Sequence, residues 1–133
     1  MIKEIFLPWR PADFIPLRVE LMSLLDGMDG LCLVIGSEST REAVATLTFV
    51  DFVAYRNINE SFRNRTWRQL NGEASGLVIV KGSSWLKWLS EESDGLLSAD
   101  ELVHYAIYTV DDCVDVAARV EPHIEALGAP RQP

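Results

Sequence analysis

The run Leu-Val-Ile-Val at residues 77–80 is the feature that most constrains the fold, because it shows no polar alternation. A strand with one face in water would alternate apolar and polar side chains, whereas this run is apolar on both faces. Helices or a second sheet must therefore cover each side of it. We expect residues 77–80 to form a central strand in a layered domain.

Other segments also have the composition of strands. Residues 2–7 and 31–35 are short apolar segments, and residues 42–56 form a long run rich in Val, Thr, Phe and Tyr. The polar stretch between the last two segments predicts a hairpin. Within the long run the apolar side chains change face near Asp51, which a bulge would reconcile. Residues 103–109 alternate as a further strand.

Two segments permit more than one interpretation. Residues 17–25 begin with the alternation of a strand, yet their leucines also recur at helical spacing before Gly27. Residues 111–119 can form the return strand of a hairpin with residues 103–109, or a helix capped by Asp111. The strand is slightly favoured for this second segment, and the first stays open between helix and strand.

The firmest helical signal follows the central strand. Ser84 can cap a helix whose apolar face includes Trp85 and Trp88, and Gly95 is available to end it. We expect both tryptophans to be core residues. Residues 121–128 predict a last helical turn, since a proline begins it and a glycine ends it.

These assignments predict an α+β protein. We expect a mostly antiparallel β-sheet of about five or six strands, with one Trp-rich helix and one or two short helices. A chain of 133 residues has the usual length of one domain and can bury a substantial core. A single globular domain over residues 1–133 follows.

The charge distribution limits the classes of partner. The formal net charge is -8, and residues 69–133 carry most of the excess acid. Because phosphates are bound by neutralising them with Lys and Arg, we expect no nucleic acid and no membrane as partners, whereas a basic partner is permitted. No apolar run approaches the ~20 residues of a membrane helix, and the signal-peptide pattern is missing. We expect a soluble, cytoplasmic protein.

The residue types that bind metals or act as nucleophiles show no recognisable site pattern. Cys32 and Cys113 lie in apolar surroundings that suit small buried side chains better than a disulfide. His104 and His123 lack Cys-x-x-Cys, His-x-x-x-His and EF-hand spacing with the nearby aspartates. We expect reduced, inert cysteines, His104 on the solvent side of its strand, Asp111 in a turn, and no metal or other cofactor.

Residues 51–70 stand out in this acidic chain, because they hold four arginines beside aromatic residues. Such a composition is typical of a protein-interface core or of a site for a planar anion. A guanidinium group forms two parallel hydrogen bonds with a carboxylate and also stacks on aromatic rings. The candidate binding residues all come from this stretch: Tyr55, Arg56, Glu60, Phe62, Arg63, Arg65, Trp67 and Arg68.

Three uses of this stretch are open. The first, which we favour, is contact with a protein partner, either a basic toxin or a second copy in a homodimer. The second is a small anionic ligand held by Arg56, Glu60 and Tyr55, in a binder or an enzyme. The third is ion pairing within the molecule that merely solvates a loop. A pocket reached by those three side chains would favour the ligand, and a flat patch bearing Phe62 and Trp67 the protein partner.

A family resemblance points the same way. The segments LTFVDFVAYRNINES, VHYAIYTVDD and DVAA resemble a pattern of small uncharacterised bacterial single-domain proteins, some of them similar to immunity proteins of toxin systems. The residues that carry it are Tyr55, Arg56, Glu60, His104 and Tyr105. The resemblance implies a small bacterial domain that acts as a binding protein, and it supplies no catalytic residues. We therefore predict a non-enzymatic protein-binding module.

Overall fold

Two antiparallel sheets pack face to face, and two helices lie on the outer face of the larger sheet. The computed structural model describes residues 3–70 and 76–128. The strands are β1 (Ile5–Pro8), β2 (Val19–Gly27), β3 (Gly30–Ser37), β4 (Ala43–Phe49), β5 (Phe52–Asn59), β6 (Gly76–Lys81), β7 (Val103–Tyr108), β8 (Asp112–Ala118) and β9 (His123–Ala126). The helices are α1 (Asn64–Leu70) and α2 (Ser84–Glu92), and 3₁₀ turns lie at Glu60–Phe62 and Ala99–Glu101.

The larger sheet has five strands in the order β1-β6-β7-β8-β5, and the smaller has four in the order β2-β3-β4-β9. The central strand predicted from residues 77–80 is β6, which pairs with β1 on one side and β7 on the other. Leu77 packs into the core between the sheets, whereas Val78 and Val80 pack under α1. A second sheet covers one face of β6 and a helix covers the other.

Three apolar clusters hold these layers together. The largest lies between the sheets, where residues such as Leu33 and Leu47 of the smaller sheet meet Ile107 and Val116 of the larger one. Two smaller clusters lie on the outer face of the larger sheet, one under α1 and one under α2. Burial of apolar surface in these clusters is the main source of stability.

The prediction of a mostly antiparallel sheet with helices is confirmed, but the predicted count of five or six strands is wrong. The described residues form nine strands in two sheets. One reason is that the long strand predicted over residues 42–56 is interrupted at Val50 and Asp51. β4 before the break belongs to the smaller sheet and β5 after it to the larger one. The chain therefore crosses between the sheets here, and a register shift between Phe52 and Ala54 of β5 lies close to the expected bulge.

Both ambiguous segments are strands. Residues 17–25 contribute to β2, in which Leu24 lies opposite Leu33 of β3, and residues 111–119 contribute to β8. The predicted last helical turn is wrong, because the chain there forms β9. Ile124 lies opposite Leu47 of β4 and packs against the main core. Pairing with an open sheet edge outweighs the local helical signal.

The Trp-rich helix is present as α2, with two corrections. Its N-cap is Ser83 rather than Ser84, because the Ser83 Oγ accepts a hydrogen bond from the Leu86 N–H at 3.1 Å. Trp85 is buried as expected, but Trp88 is 52% exposed, so its assignment to the core is wrong. None of the helices in residues 3–70 and 76–128 has the length and hydropathy needed to cross a membrane.

Candidate functional site

A buried aspartate, Asp115, lies at the centre of the outer face of the larger sheet. In the strand register it is flanked by Arg56 of β5 and Ala106 of β7. The relative exposure of Asp115 is 0%. Because Ala106 is small, His104 and Tyr108, two positions to either side of it on β7, have room to lean toward the carboxylate.

Four side chains donate hydrogen bonds to this carboxylate. Oδ1 accepts from His104 Nε2 at 2.6 Å and from the Tyr108 hydroxyl at 2.9 Å. Oδ2 accepts from Arg56 Nε at 2.8 Å and from Arg63 Nη1 at 2.7 Å. We call these five residues the Asp115 network. Every lone-pair direction that a carboxylate commonly uses is occupied, so Asp115 is anchored rather than free to react.

The pKa values follow from burial and charge. Burial by itself raises the pKa of Asp115, but the hydrogen bond from His104 and the charges of Arg56 and Arg63 outweigh it and hold that pKa below its ordinary value. The pKa of Tyr108 is raised, first by burial and then by the charge of Asp115. Asp115 is therefore an anion at neutral pH, and Tyr108 keeps its proton as a donor.

His104 links the network to the start of α2. Its Nε2 must carry a proton, because a carboxylate only accepts hydrogen bonds. Its Nδ1 lies 2.7 Å from Ser83 Oγ, the atom that also accepts the capping bond from the Leu86 N–H. The chain of hydrogen bonds from Ser83 through His104 to Asp115 resembles a nucleophilic triad. Ser83, however, is buried and caps a helix. This geometry assigns Ser83 to capping.

An open pocket of 240 Å³ borders the network, and we call it the arginine pocket. Its lining is Glu4, Phe6, Arg56, Phe62, Arg63, Arg65, Thr66, Gln69, Ser84, His104 and Tyr108. Three arginines line this pocket, namely Arg56, Arg63 and Arg65. They are opposed by two carboxylates, that of Glu4 in the lining and that of Asp115, which is bonded to Arg56 and Arg63. The pocket is thus locally positive in a chain whose formal net charge is -8.

Glu4 is itself held by the start of α2. Its Oε2 accepts from the Ser84 N–H at 3.0 Å and from the Ser84 hydroxyl at 3.1 Å. The first free N–H of the helix is therefore satisfied by a carboxylate of the same chain, which matches the preference of helix N-termini for anions.

Arg56 is the one member of the network that reaches both the buried carboxylate and solvent. Its Nε is bonded to Asp115, its guanidinium carbon lies 4.7 Å from the centre of the Trp85 ring, and its side chain is 35% exposed. Within the described parts of the chain, no group accepts a hydrogen bond from its two Nη atoms. A guanidinium fixed at one edge and open at the other is suited to a bidentate anion.

The candidate residues of the arginine stretch separate into two groups. Arg56, Phe62, Arg63 and Arg65 line the arginine pocket. Tyr55 lies on the other face of β5, where its ring packs 6.1 Å from that of Phe52. The remaining three, Glu60, Trp67 and Arg68, lie outside the lining of the pocket. Tyr55 and Arg56 line a neighbouring pocket together, but Glu60 lines neither pocket, so the predicted trio is not brought together as a whole.

Trp67 and Glu60 have structural contacts. The Trp67 Nε1 donates to the carbonyl oxygen of Glu60 at 3.0 Å, and the Trp67 ring packs against Tyr108. The Glu60 carboxylate accepts from the Ser61 hydroxyl rather than from an arginine. Trp67 is half-buried through these contacts, whereas Phe62 is 79% exposed.

The candidate binding residues predicted from the sequence did not include Asp115, His104 or Tyr108. The expectation that His104 faces solvent is wrong, because that face of β7 is covered by α1 and α2. One signal was available: Asp115 is a single acid within the apolar run from Cys113 to Ala118. A charge inside a strand that is covered on both faces requires partners.

The cysteines are free, and Cys113 is buried on the same face as the network. Burial raises the pKa of the Cys113 thiol to about 11, against the opposing charge of Arg63. A thiol with a raised pKa is a poor nucleophile at neutral pH.

The chain matches no protein-family model, no curated protein and no solved structure. The resemblance to immunity-type proteins stays a prediction.

Proposed function

We propose that the protein is a binding protein whose arginine pocket takes the anionic group of a small ligand. The observation that carries this proposal is the position of Arg56. Its Nε is fixed by the buried Asp115, its side chain lines the pocket, and its two Nη atoms have no acceptor among the described residues. Carboxylate and phosphate groups match the edge of a guanidinium, so these are the groups we expect to bind.

Preorganisation supports the proposal. An exposed arginine loses side-chain entropy when it binds, whereas Arg56 is held in place by the Asp115 carboxylate and the Trp85 ring. Arg63 is held more firmly, because it is buried and donates to both Asp115 and Thr66. Arg65 is exposed, lines the pocket and adds a further positive charge. Arg56 is therefore the anchor and Arg65 an auxiliary contact.

A titration with sodium acetate and inorganic phosphate at low ionic strength tests the proposal. Backbone and arginine side-chain signals of the whole chain are followed by ¹⁵N–¹H NMR. We expect saturable shifts at Arg56, Arg65 and their neighbours. Arg56→Gln should weaken binding at least about tenfold, because a charge-assisted hydrogen bond is worth roughly 1.5 to 3 kcal/mol.

Arg68→Gln is the matched control. It removes the same charge from the same part of the chain, but Arg68 lies in the last turn of α1 outside the pocket lining. The affinity of the Arg68→Gln variant for acetate and phosphate should equal that of the wild type. An equal loss of anion affinity in both variants would show that only general electrostatic attraction is present. If no saturable shifts are seen in the wild type, the proposal is wrong.

A protein partner is the second candidate, and exposed Phe62 at the pocket rim favours it. A partner could place an Asp or Glu side chain on Arg56 while an apolar side chain packs on Phe62. Self-association is the simplest form of this candidate. It predicts that Phe62→Ala lowers the sedimentation coefficient at high protein concentration. A monomer at every concentration would exclude self-association.

A further inference from the structure

We infer that the ligand is a small aromatic carboxylate, whose carboxylate binds Arg56 and whose ring lies against Trp88. This inference rests on the proposed function and specifies its ligand class. The arginine pocket is small, since 240 Å³ falls below the roughly 300 to 1,000 Å³ of typical ligand sites. It can hold an anionic group, but the rest of a ligand must lie elsewhere.

A second pocket adjoins the first at the required place. It measures 570 Å³ and is lined by Ala54, Arg56, Trp85, Trp88 and Leu89, among others; we call it the tryptophan groove. Arg56 and Ser84 line both pockets. The guanidinium of Arg56 therefore marks the boundary between an aromatic groove and a polar pocket.

Trp88 is an unusual residue for the surface of α2. Trp85 and Leu89 of the same helix are buried against the sheet, whereas Trp88 is 52% exposed and contributes to the wall of the groove. No described residue accepts a hydrogen bond from its indole N–H, so side-chain hydrogen bonding does not account for its place. A large exposed ring that lines the same groove as a fixed cation offers a stacking surface for a planar group.

Charge selects a carboxylate over a polyanion. The pocket has one positive charge in excess, from three arginines against Glu4 and Asp115, which a single carboxylate neutralises. The field of a chain with net charge -8 opposes the approach of ligands with several negative charges. The combination of groove and pocket thus fits a planar ring that carries one carboxylate.

Three probes separate the contributions of ring and carboxylate in calorimetric titrations of the whole chain. Indole-3-acetate has both groups, acetate has the carboxylate alone, and indole-3-ethanol has the ring alone. Stacking of a planar ring on an aromatic side chain corresponds to about a 5- to 150-fold gain in affinity. We expect indole-3-acetate to bind at least about fivefold more tightly than acetate, with indole-3-ethanol weakest.

Two variants locate the ring. Trp88→Ala should reduce the affinity for indole-3-acetate to that for acetate and leave acetate binding unchanged. Leu96→Ala is the control, because Leu96 is 87% exposed and lies outside the groove lining. It should leave all affinities unchanged. Circular dichroism checks the fold of each variant, and intermolecular NOEs from the indole ring to Trp88 in the wild type provide a reading that needs no variant.

The outcomes distinguish this inference from the proposed function. If acetate binds at Arg56 but the ring adds nothing, or if Trp88→Ala leaves indole-3-acetate unaffected, the aromatic ligand is excluded and the anion site stands. If indole-3-acetate binds equally well to Arg56→Gln, the inference is overturned because the ring alone then determines binding. If neither acetate nor indole-3-acetate reaches Arg56, both proposals fall.

Discussion

The two faces of the larger sheet are built from the same strands, yet they hold opposite chemistry. Toward the smaller sheet, β7 and β8 present Tyr105, Ile107, Val114 and Val116. Toward the helices, the same strands present His104, Tyr108 and Asp115. Both sets are almost fully buried. One face is an ordinary apolar core, and the other encloses a buried carboxylate that accepts hydrogen bonds from four side chains.

The difference indicates what the outer face is for. Burying charges is costly, and apolar replacements of buried ion pairs are often neutral or stabilising in proteins. The inner face demonstrates that these strands accept an apolar core. The Asp115 network is therefore better explained by the positioning of Arg56 at the pocket than by a gain in stability.

Asp115→Asn should have the largest effect on stability. It leaves the buried Arg63 and the half-buried Arg56 without their counterion, and breaking a buried pair costs about 3 to 5 kcal/mol. On the inner face, Ile107→Val should cost only about 0.5 to 1.5 kcal/mol. Urea denaturation compares the two variants. Equal losses would show that the two faces are energetically alike.

Part of that stability should depend on pH. The folded pKa of Asp115 lies below its ordinary value, so its contribution is complete above about pH 4 and is lost as the pH falls toward the folded pKa. The free energy of unfolding of the wild type should therefore fall more steeply on acidification than that of Asp115→Asn. Parallel curves for the two proteins would contradict the lowered pKa.

The two tyrosines of β7 allow a smaller, matched comparison. The Tyr108 hydroxyl bonds Asp115 and Arg63, so Tyr108→Phe should cost about 1.5 to 3 kcal/mol, as for other hydrogen bonds to charged groups. The Tyr105 hydroxyl has no hydrogen-bond partner in residues 3–70 and 76–128, so Tyr105→Phe should stay within about 0.5 kcal/mol. Thermal denaturation of both variants measures the difference.

Local patterns in the sequence predicted part of this fold. The run 77–80 identified a strand covered on both faces, because a strand with one face in water would carry polar side chains at every second position. The crossing at Val50 and Asp51 and the strand β9 could not be predicted, because both depend on which distant edge is free to pair. The position of Trp88 was also beyond local reasoning, since helical spacing does not say where the covered surface ends.

The candidate site was predicted in the same partial way. Arg56 and Arg63 were found from composition, because arginines beside aromatics are unusual in an acidic chain. Their common partner Asp115 follows Arg63 by 52 positions, and only the pairing of β5 with β8 brings them together. Alternation along β5 places the side chains of Tyr55 and Arg56 on opposite faces of the strand, which the sequence pattern also predicts.

Arg56→Gln, assayed for both stability and ligand binding, tests the central claim most directly. Three donors still hold Asp115 in this variant, and the lost side chain is 35% exposed, so the unfolding free energy should fall by only about 1 to 2 kcal/mol. Acetate binding should weaken at least about tenfold. A stability loss as large as that of Asp115→Asn together with unchanged acetate binding would contradict the account, since Arg56 would then serve the fold alone.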